Sequence, residues 1–97
     1  MPIITVIARA KARKGQEAAL EAAIKKIVEP TKEEKGCLKY SIQRSLEDSG
    51  LFTTIEEWDS KESADKHMNT PHIQELLTQL PALLAAPPDI QAFQSIF

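Results

Sequence analysis

The sequence predicts a single α+β domain with elements in the order β-α-β-β-α-β, an antiparallel sheet with helices on one face. Three observations carry this. Stretches of period two and of helical period alternate in that order along the 97 residues. Two strand-like runs, 37–44 and 51–58, flank Glu47-Asp48-Ser49-Gly50, a turn by composition, and so read as a hairpin. Finally, there are helical stretches enough to cover one side of such a sheet and not both.

Residues 3–10 alternate Ile4, Val6, Ala8, Ala10 against Ile3, Thr5, Ile7, Arg9, and form the first strand. Gly15 ends its exit loop. A helix follows with Leu20, Ile24, Ile27 and Val28 on one stripe. Pro30 interrupts it with a kink or restart, leaving Thr31 to Lys35 as a last turn that Gly36 stops. The second strand, Cys37 to Arg44, sets Leu38, Tyr40 and Ile42 on one face. The third, Leu51 to Trp58, sets Phe52, Thr54, Glu56 and Trp58 on one face. Ser60 caps a short helix whose inward stripe is Ala64, His67, Met68. Thr70-Pro71 starts another helix, with Thr70 as the capping oxygen and proline where no amide is needed. Ile73, Leu76, Leu77, Leu80, Leu83 and Leu84 line one side of it, and Pro81 predicts a separate short turn at its end. Ala85-Ala86-Pro87-Pro88 breaks the chain before a final strand from Ile90 to Phe97, with Phe93 and Phe97 on one face. The order is ferredoxin-like, one domain over residues 1–97. With helices on one side, Ile3, Ile7 and their neighbours on the other face need a cover. A second copy of the same sheet supplies it, so a homodimer is expected.

Composition narrows the function. A net charge of −2 offers no basic face to nucleic acid. The single cysteine, Cys37, rules out an internal disulfide and suits a reducing compartment. The apolar run at the start precedes its basic residues, the wrong order for a secretory signal, and is too short to span a bilayer. No membrane association and a cytoplasmic location are the expectation. The three glycines, at 15, 36 and 50, are too scattered for a phosphate or dinucleotide loop. There is no paired-cysteine site, His-Glu-x-x-His or GxSxG motif, so no cofactor is expected.

Side chains are then left to do any chemistry. His67 lies on an inward stripe beside the strand bearing Thr54, Glu56 and Trp58. It is either a hydrogen-bonded core histidine or an acid–base group facing Glu56. His72, in the first turn of its helix, is a donor to an oxyanion or a solvated side chain. Five residues and a Thr-Pro break separate the two, unlike the i, i+4 spacing that aims two imidazoles at one ion, so no metal is expected. Glu56 and Glu57 point to opposite faces and are no carboxylate pair. Trp58 and Tyr40 are core aromatics or, with Thr54 and Met68, the frame for a flat aromatic substrate. Cys37 is a small buried hydrophobe or, near Lys39, a reactive thiol.

The segments EEKGCLKYSI, TTIEEWDSKESADKH and NTPHIQELL resemble the antibiotic biosynthesis monooxygenase (ABM) domain family, with Gly36-Cys37, Glu57-Trp58, His67 and Thr70-Pro71-His72 matching its pattern. The resemblance implies a dimeric α+β barrel. It also implies oxygenation of a quinol or aromatic polyketide-like substrate by O2 with neither metal nor flavin. In that chemistry His67 or His72 is base or anion partner, Glu56 orients it, and Trp58 with Tyr40 frames the ring. Haem-degrading relatives carry an axial histidine where this chain runs Ile73 to Leu77, and an aromatic residue near position 67; both departures argue against haem. A sister branch isomerises a phosphorylated signal metabolite of the autoinducer-2 type, for which Arg9, Lys39 or Arg44 would hold phosphate. A non-catalytic dimer binding a small aromatic is the third reading.

Overall fold

The computed structural model describes residues 3–97. Strands β1 (Ile4–Lys11), β2 (Cys37–Arg44), β3 (Leu51–Trp58) and β4 (Asp89–Gln94) form one sheet in the order β2-β3-β1-β4, every neighbour antiparallel. The connection from β1 to β2 skips β3, and that from β3 to β4 skips β1, which is the ferredoxin-like α+β topology. Helices α1 (Glu17–Lys25) and α2 (Val28–Lys32) make the first crossover, α3 (Lys61–His67) and α4 (Pro71–Leu83) the second.

Register fixes the faces. Ile4, Val6, Ala8 and Ala10 stand opposite Trp58, Glu56, Thr54 and Phe52, and directly opposed residues share a face. All four of those β3 residues are buried, as their alternation predicts. They meet a core in two parts. Leu20, Ile24, Phe52, Leu80 and Leu84 pack at one end, and Ile27, Tyr40 and Ile73 at the other. The opposite face carries Thr5, Ile7, Ile55 and Phe93, with no helix upon it. All six β4 residues are exposed.

Several local expectations are corrected. Leu38 does not share a face with Tyr40: the register shifts between Cys37 and Lys39, leaving Leu38 as the extra, exposed residue of a bulge. Cys37, three positions before Tyr40, thereby packs against the same cluster. The first crossover breaks at Lys26–Ile27, ahead of Pro30, which sits at the third position of α2. A proline there removes an amide that has no intrahelical acceptor anyway. Pro81 does not divide α4, which runs on to Leu83. Buried Leu80 and Leu84 flank it, Leu84 N donates to Leu80 O (2.8 Å), and Arg13 Nη2 donates to Pro81 O (3.0 Å). Tertiary packing here outweighs the one bond a proline costs. β4 ends at Gln94, so Phe97 lies outside the strand and does not join Phe93.

The hinge into the site region is Gly36, with φ at 92°. Its carbonyl accepts from Asp59 N (2.9 Å), joining the entry of β2 to the exit of β3. A Cβ there would fall on Ser63 Oγ and within 2.6 Å of Asp59 Oδ1, whereas Gly15, also at positive φ, has open space. Gly36→Ala should therefore cost about 2–4 kcal/mol in urea unfolding, from the backbone conformation plus the clash, and Gly15→Ala only about 1–2 kcal/mol. Equal losses at the two positions would contradict the close approach.

Candidate active site

The floor of the site is the buried face of β3. Glu56 is only 4% exposed. Its Oε2 accepts from the Thr54 hydroxyl (2.8 Å) and its Oε1 from the Trp58 indole N–H (3.0 Å). Spacing of two along a strand puts all three on one face, so one carboxylate satisfies two buried donors. Among the described residues no lysine, arginine or histidine forms an ion pair with it. Tyr40 stands directly opposite Glu56 across the β2–β3 ladder. Burial pushes its phenol far above the ordinary range, the Glu56 and Glu34 carboxylates push the same way, and the Thr54 hydroxyl opposes them. Tyr40 is a neutral donor at any physiological pH.

His67 closes the site from above. Ser60 Oγ accepts from Ser63 N (3.1 Å) and starts α3 as the sequence predicts, and the helical stripe carries His67 inward at its last position. The imidazole lies against the Trp58 ring (centroids 4.8 Å apart) and meets Tyr40 edge-on (5.7 Å). Its Nδ1 is 2.7 Å from Glu34 Oε2. His72 Nε2 is 2.6 Å from the same oxygen. Glu34, not Glu56, is thus the carboxylate that orients His67. It sits between α2 and Gly36 and was not singled out from sequence, where it is one of several acidic residues in a charged turn.

The two histidines converge despite their spacing. Met68, Asn69 and Thr70 donate backbone N–H groups to Asp65, Lys66 and His67 carbonyls (3.2, 3.0 and 3.2 Å), a tight turn that starts α4 back across the end of α3. Thr70 makes no side-chain cap. Its hydroxyl donates instead to His67 O (2.7 Å) and stands 3.2 Å from His72 Nε2. A carboxylate has no proton to give, so each facing nitrogen donates to Glu34 Oε2, His67 through Nδ1 and His72 through Nε2. His67 Nε2 makes no hydrogen bond among the described residues, its ring bonding through Nδ1.

A cavity of about 220 Å³ lies between sheet and helices. Tyr40, Thr54, Glu56, His67 and Met68 line it, with a largely apolar remainder. Trp58 is fully buried behind His67 and Glu56 and does not reach the cavity, and His72 is likewise off its wall. These two sequence candidates support the site without lining it. Arg9 reaches the cavity wall, whereas Lys39 and Arg44 do not, and Arg44 pairs with Glu21. Burial, then the Glu34 and Glu56 carboxylates, raises the Cys37 thiol, the opposite of what a reactive cysteine needs.

The family model for antibiotic biosynthesis monooxygenase matches residues 3–79. The structure of PA3566 from Pseudomonas aeruginosa superposes with a TM-score of 0.93 at 31% identity, covering 100% of this chain and 97% of that one. Rv0793 from Mycobacterium tuberculosis superposes with a TM-score of 0.92 at 27% identity over 98% and 96% of the two chains. By sequence, Rv0793 is 32% identical over 84 residues, 87% of this chain and 82% of that protein. The protein sll1783 from Synechocystis is 28% identical over 94% of this chain, which spans only 62% of that relative's length. No helix among the described residues is long and apolar enough to cross a membrane.

Tyr40 is the only tyrosine, and its raised phenol has a consequence for stability. An unfolded tyrosine ionises near pH ~10 while the folded one stays protonated, so the folded state binds more protons and stability falls as pH rises through about 10. Tyr40→Phe should flatten the fall in urea midpoint between pH ~9 and ~11 relative to wild type. Parallel curves for the two proteins would show that Tyr40 ionises as freely folded as unfolded.

Proposed function

The chain belongs to the antibiotic biosynthesis monooxygenase family, and from that premise we propose that it oxygenates a small electron-rich quinol, phenol or polyketide-like substrate with O2, without a bound cofactor. The observation that carries this reading is the contact of His67 Nδ1 with Glu34 Oε2 (2.7 Å), made by a histidine on the cavity wall. With Nδ1–H given to Glu34, a neutral imidazole carries its lone pair on Nε2, and His67 lies on the wall of a mostly apolar cavity. That arrangement suits a general base.

The chemistry follows from the spin state of oxygen. Triplet O2 reacts slowly with closed-shell molecules but accepts one electron from an electron-rich carbanion or phenolate. His67 Nε2 takes a proton from the substrate, and Glu34 stabilises the imidazolium that forms. The anion passes one electron to O2, and the radical and superoxide combine into a peroxide. The imidazolium returns its proton to the peroxide oxygen. For an activated CH2 beside a phenolic ring, loss of water then leaves a carbonyl: CH2 and O2 become C=O and H2O. Glu56, already accepting from Thr54 and Trp58, has lone pairs left for a substrate hydroxyl, and neutral Tyr40 donates to developing negative charge. The apolar wall limits water around the anion. A phosphorylated substrate fits less well, since of Arg9, Lys39 and Arg44 only Arg9 reaches the wall.

A homodimer belongs to the same proposal. Ile3, Leu38, Ile90 and Phe93 are large exposed hydrophobics on or beside the sheet, and every residue of β4 is exposed. A second sheet laid on Thr5, Ile7, Ile55 and Phe93 would bury that face. One free thiol is compatible with the reducing cytoplasm, where we place the activity.

Oxygen uptake by EDTA-treated protein, with a panel of reduced quinols and anthrone-like phenols, tests the activity. His67→Asn should lower turnover at least about 100-fold while retaining substrate binding. Glu34→Gln should lower kcat about tenfold or more with little change in KM, as expected of a positioning residue. Uptake unaffected by either substitution would overturn the assigned base, and binding without uptake would favour a non-catalytic binding dimer. In sedimentation, wild type should run at twice the 10.8 kDa chain mass and Ile55→Lys at the monomer mass; a monomeric wild type would reject the dimer.

A further inference from the structure

The oxygen of Glu34 that holds both histidines belongs to a donor set with a second capacity. One ligand atom from each of Glu34, His67 and His72 lies within 4.8 Å of the other two, and Glu34 Oε2 contacts both His67 Nδ1 and His72 Nε2. They come from three separate parts of the chain: the link after α2, the last residue of α3 and the first turn of α4. Their side chains are 13%, 4% and 20% exposed, so the set is largely dry but open on the His72 side. Among the described residues no lysine or arginine pairs with Glu34, whose ion-pair partners are the two imidazoles. One carboxylate and two imidazoles converge there with no lysine or arginine paired to them, a donor set that suits a cation. We propose that Glu34, His67 and His72 form a binding site for a divalent transition-metal ion, and that filling it through His67 Nδ1 leaves Nε2 a hydrogen-bond donor.

The ligand types decide the class of ion. Two imidazole nitrogens and one carboxylate oxygen suit zinc, cobalt, nickel or iron, and offer too few oxygens for magnesium or calcium. Three protein ligands leave a fourth tetrahedral position for water. The separations of 2.7 and 2.6 Å are those of hydrogen bonds. Ligands about 2.0–2.2 Å from a tetrahedral ion stand roughly 3.3 Å apart, so Glu34 must withdraw by about half an ångström on binding. The terminal torsion of a glutamate is broad enough to allow it.

Proton bookkeeping gives the consequence. A neutral imidazole carries one hydrogen. When a metal takes the lone pair at His67 Nδ1, the displaced hydrogen resides on Nε2, which becomes a donor. His72, bound through Nε2, likewise keeps its hydrogen on Nδ1. His67 then has no base facing the cavity. Metal occupancy and proton abstraction by His67 exclude one another. The binding itself is independent of the oxygenase reading; the loss of turnover rests on it.

Calorimetry with Zn2+ and visible absorption with Co2+ on the EDTA-treated full chain test the site. One ion per chain should bind, with the strong d–d bands of tetrahedral cobalt, and Mg2+ at the same concentration should not bind. His72→Gln should weaken Zn2+ binding more than about tenfold, and Cys37→Ser should leave it unchanged. In wild type, 15N spectra should show Zn2+ shifting His67 Nδ1 and His72 Nε2, a readout that does not depend on a variant folding. Absence of stoichiometric binding, equal binding by His72→Gln, or loss of binding in Cys37→Ser would overturn the site. In protein that consumes oxygen, Zn2+ should abolish uptake at the same stoichiometry. Uptake persisting at full occupancy would reject the exclusion while the metal site stood.

Discussion

A single oxygen atom, Glu34 Oε2, ties together the link before β2, the end of α3 and the start of α4. Its two contacts, at 2.7 and 2.6 Å, span segments more than thirty residues apart in the chain. Hydrogen bonds to an ionised partner are worth about 1.5–3 kcal/mol each, and losing the acceptor would leave two imidazole donors without their partner in a mostly dry corner. The same contacts orient both rings, so the placement of His67 and the direction its Nδ1 faces depend on one group.

β3 supplies the complementary half. Four inward residues in succession, Phe52, Thr54, Glu56 and Trp58, pass from apolar core to polar floor and back. Glu56 is tolerable there because its neighbours at two-residue spacing each donate to it. Trp58 is part of the support: it holds Glu56 through its indole and backs His67 through its ring. Below it, Gly36 lets the β2 strand start close to β3 and carries Glu34 into reach. β4 is exposed along its whole length, and its residues Ile90 and Ala92 contribute to the cavity wall.

Periodicity made most of the fold legible. The alternation of β3, the cap at Ser60, the proline opening α4 and the turn at 47–50 each have a local cause, and each appears where that cause lies. The failures also have causes. Pro81 is a local breaker overruled by the burial of Leu80 and Leu84, and Leu38 lost its face because a bulge adds a residue that strict alternation cannot anticipate. Thr70 looked like a cap by type and position, but its oxygen accepts from no amide of α4 and its hydroxyl donates to His67 O.

The site divides the same way. Strand alternation and helical spacing by themselves put His67 on an inward stripe and Thr54, Glu56 and Trp58 on one strand face, since these depend only on residues near one another in the chain. What only the tertiary structure decided is which carboxylate meets the imidazole, that His72 joins it, and which aromatic reaches the cavity. Glu34 and His67 lie thirty-three positions apart, and no local pattern distinguishes Glu34 from its acidic neighbours. Their meeting depends on how α2, the Gly36 hinge and the turn at 68–70 pack together, which is a property of the folded layers and not of any one segment.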